Sequence, residues 1–415
     1  MDKLSAHKAL AAIFRAEHGR VLARLIGLLG DFDLAEEALA DAYAAAANHW
    51  PHEGVPDYPA AWLLTTARRR AVDRIRRTRT QVAYLPALAT EMRLSLDDPE
   101  SADDGDDRLR LFFTCCHPAL DQQTQVALTL RCLGGLSTAE VARLFLTSEA
   151  TVSQRIVRAK RKIRETRIPY RVPDRDQLPG RLRAVLAVLY LMFTEGYTAT
   201  RGAQLVRDEL CDESIRLARA LRELMPAEPE VSALLALLLL TDARRAARRS
   251  ATGDLVPLVE QDRSRYDYRT IAEGRHLLSQ AIRSAPANQY AVQAAIAALH
   301  AEAPTAADTD WPQIVRLYRI LRAVAPSPMV ELNHAIAVAE ADGPLAGIAL
   351  LDTLAAEATF AKSHLFQAAR ADLLRRLGRG AEAVAAYDTA IALSANDAER
   401  SYLIRRRNQL TEPNT

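Results

Sequence analysis

Apolar residues recur at helical spacing along nearly the whole chain, and no run of alternating β-branched residues signals a sheet. Gly and Pro punctuate the pattern at Gly30, Pro51 to Pro59, Pro118, Gly134 and Gly135, Pro169 to Pro173, and Pro326 to Pro328. The pattern predicts an all-α protein. Its most informative stretch is 134–165. Ser137 followed three residues later by Glu140 forms a capping box, which starts a short helix whose stripe is Val141, Leu144 and Phe145. Leu146, Thr147 and Ser148 break that pattern, and Ser148 can cap a second helix. In this second helix Val152, Ile156, Ala159 and Ile163 fall at spacings of four, three and four and therefore face a core. The opposite side carries Thr151, Gln154, Arg155, Arg158 and Lys162, flanked by Lys160, Arg161 and Arg164.

A helix-turn-helix with a cationic outer face suits DNA. Arginine can donate two hydrogen bonds to the major-groove edge of guanine, and lysines and flanking arginines pair with phosphates. A basic amphipathic helix can also be an ordinary solvated surface helix. Seven Lys or Arg against one Glu over 155–167, behind a capped helix and a short turn, favour the DNA reading.

The rest of the chain divides by pattern. Residues 1–80 form a first helical unit, with an amphipathic, acid-rich helix over Phe32–Trp50, a Pro-punctuated loop, and a helix from about Pro59 to Arg79. Residues 81–107 read as an acidic linker and 108–168 as the helix-turn-helix unit. From 180 to 300 and again from 310 to 411 the chain is rich in Ala and Leu. Tyr318, Leu351 and Tyr387 recur at separations of 33 and 36 residues, close to the tetratricopeptide period. Ala368, Leu374, Leu377, Gly378, Ala381, Ala385, Tyr387 and Ala390 fit the small and large alternation of such a repeat. Any Ala-rich array of helical hairpins would produce similar spacing.

Net charge is only +2, but it is patterned. Residues 68–79 carry seven Arg and one Asp, while 97–107 carry seven acids and no cation. Two basic segments separated by an acidic one suggest two contacts on a single polyanion. The longest apolar run, Ala233–Leu240, is far too short to span a bilayer, and the N-terminus lacks the apolar core of a signal peptide. Four Cys in 415 residues point to a reducing compartment, so a cytoplasmic protein with no membrane association is expected.

Taken together, these segments resemble an RNA polymerase sigma factor of the extracytoplasmic-function type. LLGDFDLAEEALADAYAAAANHW looks like region 2.1–2.2, PAAWLLTTARRRAVDRIRR like regions 2.3–2.4, and residues 111–164 like region 4. The remainder resembles the subgroup with a long C-terminal helical extension, through YLMFTEGYTA, RDELCDESIRLARALRELMPAEPE and RRAARRSATGDLVPLVEQDRSRYD. The resemblance implies that Asp33, Glu36, Glu37 and Asp41, with Ala38, dock on the β′ clamp of core RNA polymerase. It implies that Arg68, Arg69, Arg74, Arg76 and Arg77 follow the opened −10 strand, with the loop Trp50–Tyr58 as the base pocket. Trp62 reads as a core anchor. Thr151, Gln154, Arg155 and Arg158 would read −35 base edges, and Lys160, Lys162 and Arg164 would hold phosphates. Promoter DNA and core polymerase are the implied partners. A soluble regulatory protein at the C-terminal solenoid is a further candidate; by the same resemblance it would be a small YCII-type protein.

No catalytic site, metal or cofactor is implied, and no Walker motif, GxGxxG, HExxH or GxSxG occurs. Cys115, Cys116 and His117, with Cys132, invite a zinc reading, but adjacent Cys on a helix point about 100° apart, so buried thiols are the expectation. Glu195, Tyr197, Arg244, Arg245, Arg248, Asp262 and Arg263 form either a ligand site or a buried ion-pair network. The alternative function is a one-component helix-turn-helix activator whose solenoid senses a ligand.

Overall fold

The computed structural model describes residues 3–79 and 104–411, save Leu146, Arg175, Arg201, Ala203, Pro286, Ala287, Ala358, Thr359 and Ala361. Most of the expected 81–107 linker therefore lies outside the described residues. Among the described residues there is no strand, only two isolated bridges, Gly202 with Asn396 and Arg249 with Leu255. The all-α expectation holds. The chain forms two compact units, 1–192 and 193–415.

The first unit begins with α1 (Lys3–Leu29), α2 (Phe32–Glu53) and α3 (Pro59–Arg79). Asp31 caps α2 by accepting from the Leu34 amide at 3.0 Å. Ala35, Ala38, Leu39, Ala42, Ala46 and Trp50 form its buried stripe, against Leu63, Ala67 and Ala71 of α3. α2 runs three residues past the end that Pro51 signals. Pro51 removes one backbone donor, but it sits in the last turn, and Gly54 at φ +90° ends the helix while donating to the Trp50 carbonyl. The expected pocket loop is correspondingly shorter, starting at Gly54.

The same unit continues with α4 (Asp104–Cys115), α5 (Gln122–Cys132), α6 (Thr138–Leu144), α7 (Glu149–Glu165) and the start of α8 (Leu178–Tyr197). Both capping bonds of the Ser137–Glu140 box are present, at 2.7 and 3.2 Å, and Ser148 accepts from the Thr151 amide at 3.2 Å. The Leu144 side chain and Leu146 lie outside the described residues. α1 packs on α4 and α5 by close approach. A Cβ added at Gly19 would lie 2.3 Å from the Leu133 carbonyl oxygen. The Tyr170 hydroxyl donates to the Ala23 carbonyl at 2.6 Å, and Arg24 pairs with Asp107 at 2.9 Å.

The second unit centres on α10 (Pro229–Asp242), in which every residue from Val231 to Leu240 is buried. α9 (Asp208–Leu224), α11 (Tyr268–Ser284) and α12 (Gln289–Glu302) pack against it. α13 (Trp311–Val324), α14 (Pro328–Asp342), α15 (Pro344–Leu354), α16 (His364–Arg376), α17 (Gly380–Leu393) and α18 (Asp397–Thr411) follow, each packed on its neighbour in chain order. Leu351 and Tyr387 are buried and Tyr318 half-buried. The small-residue phase in α17 differs from expectation. Ala381 and Ala385 are exposed, and Ala383 and Ala386, two residues and one residue further on, face inward instead.

Candidate nucleic-acid interface

α7 has two well-separated faces. Val152, Ile156, Ala159 and Ile163 are buried, as their spacing requires. On the outer side Thr151, Gln154, Arg158 and Lys162 are exposed and Arg155 is half-buried. These five residues line one wall of a cleft of about 270 Å³ whose other wall is Ala119, Leu120, Asp121 and Thr124, at the start of α5. Arg155 lies over the Phe145 ring at 5.6 Å, which braces its guanidinium. One of its buried nitrogens has no hydrogen-bond partner among the described residues. Opposite it, Asp121 is held below the usual carboxylate range: burial works against the charge, but the Thr124 hydroxyl and amide, helped by Arg155, outweigh it. Sequence reasoning missed this acid; its only signal is the N-cap pattern Asp121 to Thr124.

Two cations assigned to phosphates sit elsewhere. Lys160 is buried and ion-paired with Glu36, with Asp33 at 3.6 Å. Burial opposes its charge, but Glu36 first and Asp33 in addition keep its pKa above the ordinary lysine value. Arg164, exposed on the same edge of α7, bonds Asp33 at 2.7 Å. The Lys162 ammonium donates to the Ala119 carbonyl.

In α3, Arg69 and Arg76 are exposed and Arg68 is half-buried. Burial, then the nearby Arg24 cation, lowers the Arg68 pKa. The Arg77 side chain lies outside the described residues. Arg74 bonds Glu37 at 2.6 Å and Asp41 at 2.7 Å, and Asp41 in particular raises its pKa. Trp62 is half-buried and meets Trp50 edge-on at 5.4 Å. Tyr58, in the loop before α3, is 79% exposed. The four acids assigned to polymerase docking thus lie on one face of α2, and each one holds a cation assigned to DNA.

Cys115, Cys116 and Cys132 are fully buried. Cys116 bonds the Thr129 hydroxyl at 3.7 Å, and burial pushes its thiol up to about 12. Burial, reinforced by Cys132, pushes Cys115 well above its ordinary value. His117 is turned to its own loop, accepting from the Ala119 amide at 3.1 Å. These thiols pack as apolar groups.

The second unit's polar cluster makes several local sets of contacts among the described residues. Arg245 pairs with Asp208, Asp212 and Asp242, and Arg248 stacks on Tyr197 at 4.1 Å while donating to its carbonyl and to the Thr198 hydroxyl. Arg263 donates to the His300 and Ala303 carbonyls at the end of α12. Asp262 caps the Ser264 amide, and Glu195 holds Thr200. Arg248 and Arg263 satisfy the free carbonyls that every helix leaves at its C-terminus.

Comparison with known proteins fits this geometry. The family profile for Sigma-70 region 2 matches residues 13–81, and that for Sigma-70, region 4 matches 113–163. A family of unknown function (DUF6596) matches 181–282. "ECF RNA polymerase sigma factor SigK" of Mycobacterium bovis (strain BCG / Pasteur 1173P2) is 30% identical over 161 residues, 38% of this chain and 84% of its own. Its counterpart from Mycolicibacterium vanbaalenii is 32% identical over 166 residues, 37% of this chain and 81% of its own. "Uncharacterized protein R00370" of Rhizobium meliloti (strain 1021) is 42% identical over 392 residues, 92% of either chain. No solved structure gives a significant match. The chain belongs to the extracytoplasmic-function sigma factors of the sigma-70 family and carries a long C-terminal helical extension.

Proposed function

We propose that this protein recruits core RNA polymerase to promoters with defined −10 and −35 elements and promotes their opening. The observation that supports this best is the outer face of α7. Its apolar stripe fixes the helix in the unit, while Thr151, Gln154, Arg155 and Arg158 stand together along an open cleft. That is the side-chain set that major-groove readout needs. Exposed Arg69 and Arg76, with Arg68, suit the backbone of an opened −10 strand. The acidic face of α2 suits a basic polymerase surface, because complementary charge steers docking. Asp33, Glu36, Glu37 and Asp41 are its contacts. The protein acts by differential binding, as a factor and not an enzyme, in the cytoplasm where core polymerase works. The 193–415 unit, with a tetratricopeptide-like stack over α13–α18, sets that activity by binding a soluble protein on a concave face.

Run-off transcription with purified core polymerase, on the gene's own upstream region and on a genomic fragment library, tests the reading. Transcripts should depend on the protein and fall at least 10-fold with Arg155→Ala plus Arg158→Ala, since each good base contact contributes about 1–3 kcal/mol. Absence of transcripts, with tight duplex binding that needs no polymerase, would favour the one-component activator. A chain truncated after residue 170 that transcribes identically to the full length would remove the regulatory role of the extension.

A further inference from the structure

A cleft of about 380 Å³ opens in the second unit where α9 ends, α10 begins and α11 ends. Arg222, in the last turn of α9, and Arg283, in the last turn of α11, both line it. Three residues before Arg222, Arg219 reaches Glu273 of α11 at 2.8 Å. Arg222 finds no such carboxylate. Its terminal nitrogen reaches only the Gln280 carboxamide oxygen, at 3.4 Å, and its buried Nε has no hydrogen-bond partner among the described residues. Arg283 is exposed and makes no ion pair among the described residues. A cation in a last turn ordinarily serves the carbonyls that its own helix leaves free. Neither of these guanidinium groups donates to one among the described residues.

The first turn of α10 supplies the third wall. Its N-cap residue, Glu228, makes no side-chain cap, and Pro229 follows directly. Ser232 lines the cleft and is 6% exposed, a single polar residue in the buried run from Val231 to Leu240. A helical serine commonly returns its hydroxyl to the carbonyl four residues back. Ser214 does so to Leu210 at 2.7 Å, and Ser284 to Gln280 at 2.9 Å. The Ser232 hydroxyl makes no hydrogen bond among the described residues. Buried donors without partners are costly, and one ligand group in the cleft can satisfy Ser232 and the Arg222 Nε together.

We propose that this cleft binds a small, phosphorylated, non-aromatic molecule of the sugar-phosphate or polyol-phosphate class. Arginine forks match phosphate oxygens with paired hydrogen bonds, and a helix N-terminus with an unused hydroxyl completes an anion site. Arg222 and Arg283 hold the phosphate, and Ser232 donates to it. Glu228 also lines the cleft, and its carboxylate repels a second anionic group but accepts from hydroxyls, as the Gln280 carboxamide does. No aromatic side chain lines the cleft, so a nucleobase has no ring on which to stack. The volume lies within the range of about 300–1,000 Å³ common to small-molecule sites. The cleft falls largely within the segment matched by the family of unknown function, and its assignment is independent of the promoter-recognition reading.

Titration calorimetry of the full chain, at fixed ionic strength and pH, tests the site with inorganic phosphate and with glucose 6-phosphate. Inorganic phosphate should bind in the millimolar range, and glucose 6-phosphate about 10-fold more tightly through its hydroxyls. Arg222→Gln should weaken glucose 6-phosphate about 10-fold, and Ser232→Ala about 3-fold, the losses expected of a charged and a neutral donor. Arg283→Gln removes the second cation at an exposed helix end, and keeps the test readable if Arg222→Gln fails to fold. Arg269→Gln, earlier on α11 and outside the cleft, removes the same charge and should leave affinity unchanged. If all three arginine variants weaken binding alike, the attraction belongs to the basic surface at large and the site is overturned. Absence of binding by both probes at about 20 mM overturns it as well, since even inorganic phosphate is expected in the millimolar range. Citrate binding more tightly than glucose 6-phosphate would overturn the phosphate assignment.

Discussion

Helix α10 and helix α2 are held in their units by different means. α10 is buried on every side from Val231 to Leu240, and nine of those ten residues are apolar. α2 buries one stripe, from Ala35 to Trp50, and uses its other face for carboxylates that hold Lys160, Arg164 and Arg74. Apolar contacts have no preferred partner charge and are nearly indifferent to salt. The exposed pairs, Asp33 with Arg164 and Glu37 and Asp41 with Arg74, contribute little and are screened by salt, whereas the pair of Lys160 with Glu36 is largely buried and its loss would leave a charge unpaired. The contrast separates a helix held by apolar burial from one held in part by charge.

The largest expected effect lies on the apolar side. Leu238→Ala, at a fully buried position of α10, should cost about 3 kcal/mol in urea denaturation, with no dependence on salt. A loss below about 1 kcal/mol would show that α10 is not close-packed and would break the comparison.

Acid sharpens it. Burial, with Arg131 nearby, lowers the His18 pKa to about 3, and burial, with Arg244 and Arg263, does the same for His300. Both are therefore neutral in the fold. Because the folded pKa lies below the unfolded value near 6.5, their contribution is complete above that pH and is lost as pH falls from about 6.5 toward 3. By pH 5 each should have forfeited about 2 kcal/mol. His18 lies in α1 between Phe14 and Tyr43, with ring centroids 4.6 and 6.1 Å away, next to Gly19 at the contact with Leu133. His18→Phe should flatten the acid limb of melting for the first unit and leave that of the second unchanged. An unaltered acid limb in the first unit would remove His18 as its cause.

The smallest effect belongs to the exposed pair. Arg164→Ala should change stability by less than about 1 kcal/mol, because both side chains are largely solvated. Yet it should increase hydrogen exchange over Asp33–Asp41, and raising salt from 0.1 to 1 M, which shortens screening from about 10 to 3 Å, should do the same to wild type. Exchange that ignores both changes would mean that the pair plays no part in holding α7.

Much of the fold was legible in the chain because helices are specified locally. The capping box at Ser137, the cap at Ser148 and the stripe Val152, Ile156, Ala159, Ile163 depend only on residues three or four apart, and each is found as its spacing requires. The end of α2 was misread because a proline in a last turn costs less than one in the interior. The phase of α17 was misread because Ala383 and Ala385 are equivalent in hydropathy, and only the neighbouring helices decide which one is buried.

The sequence by itself therefore determined an all-α chain, two basic helices, an acidic helix, and the family to which their order belongs. It could not determine that Glu36 meets Lys160, 124 residues away, or that Gly19 is small because Leu133 stands against it. Periodicity tells a residue which way to face along its own helix. Which charge it then finds there is set by how helices distant in sequence pack, and only the tertiary structure decides that.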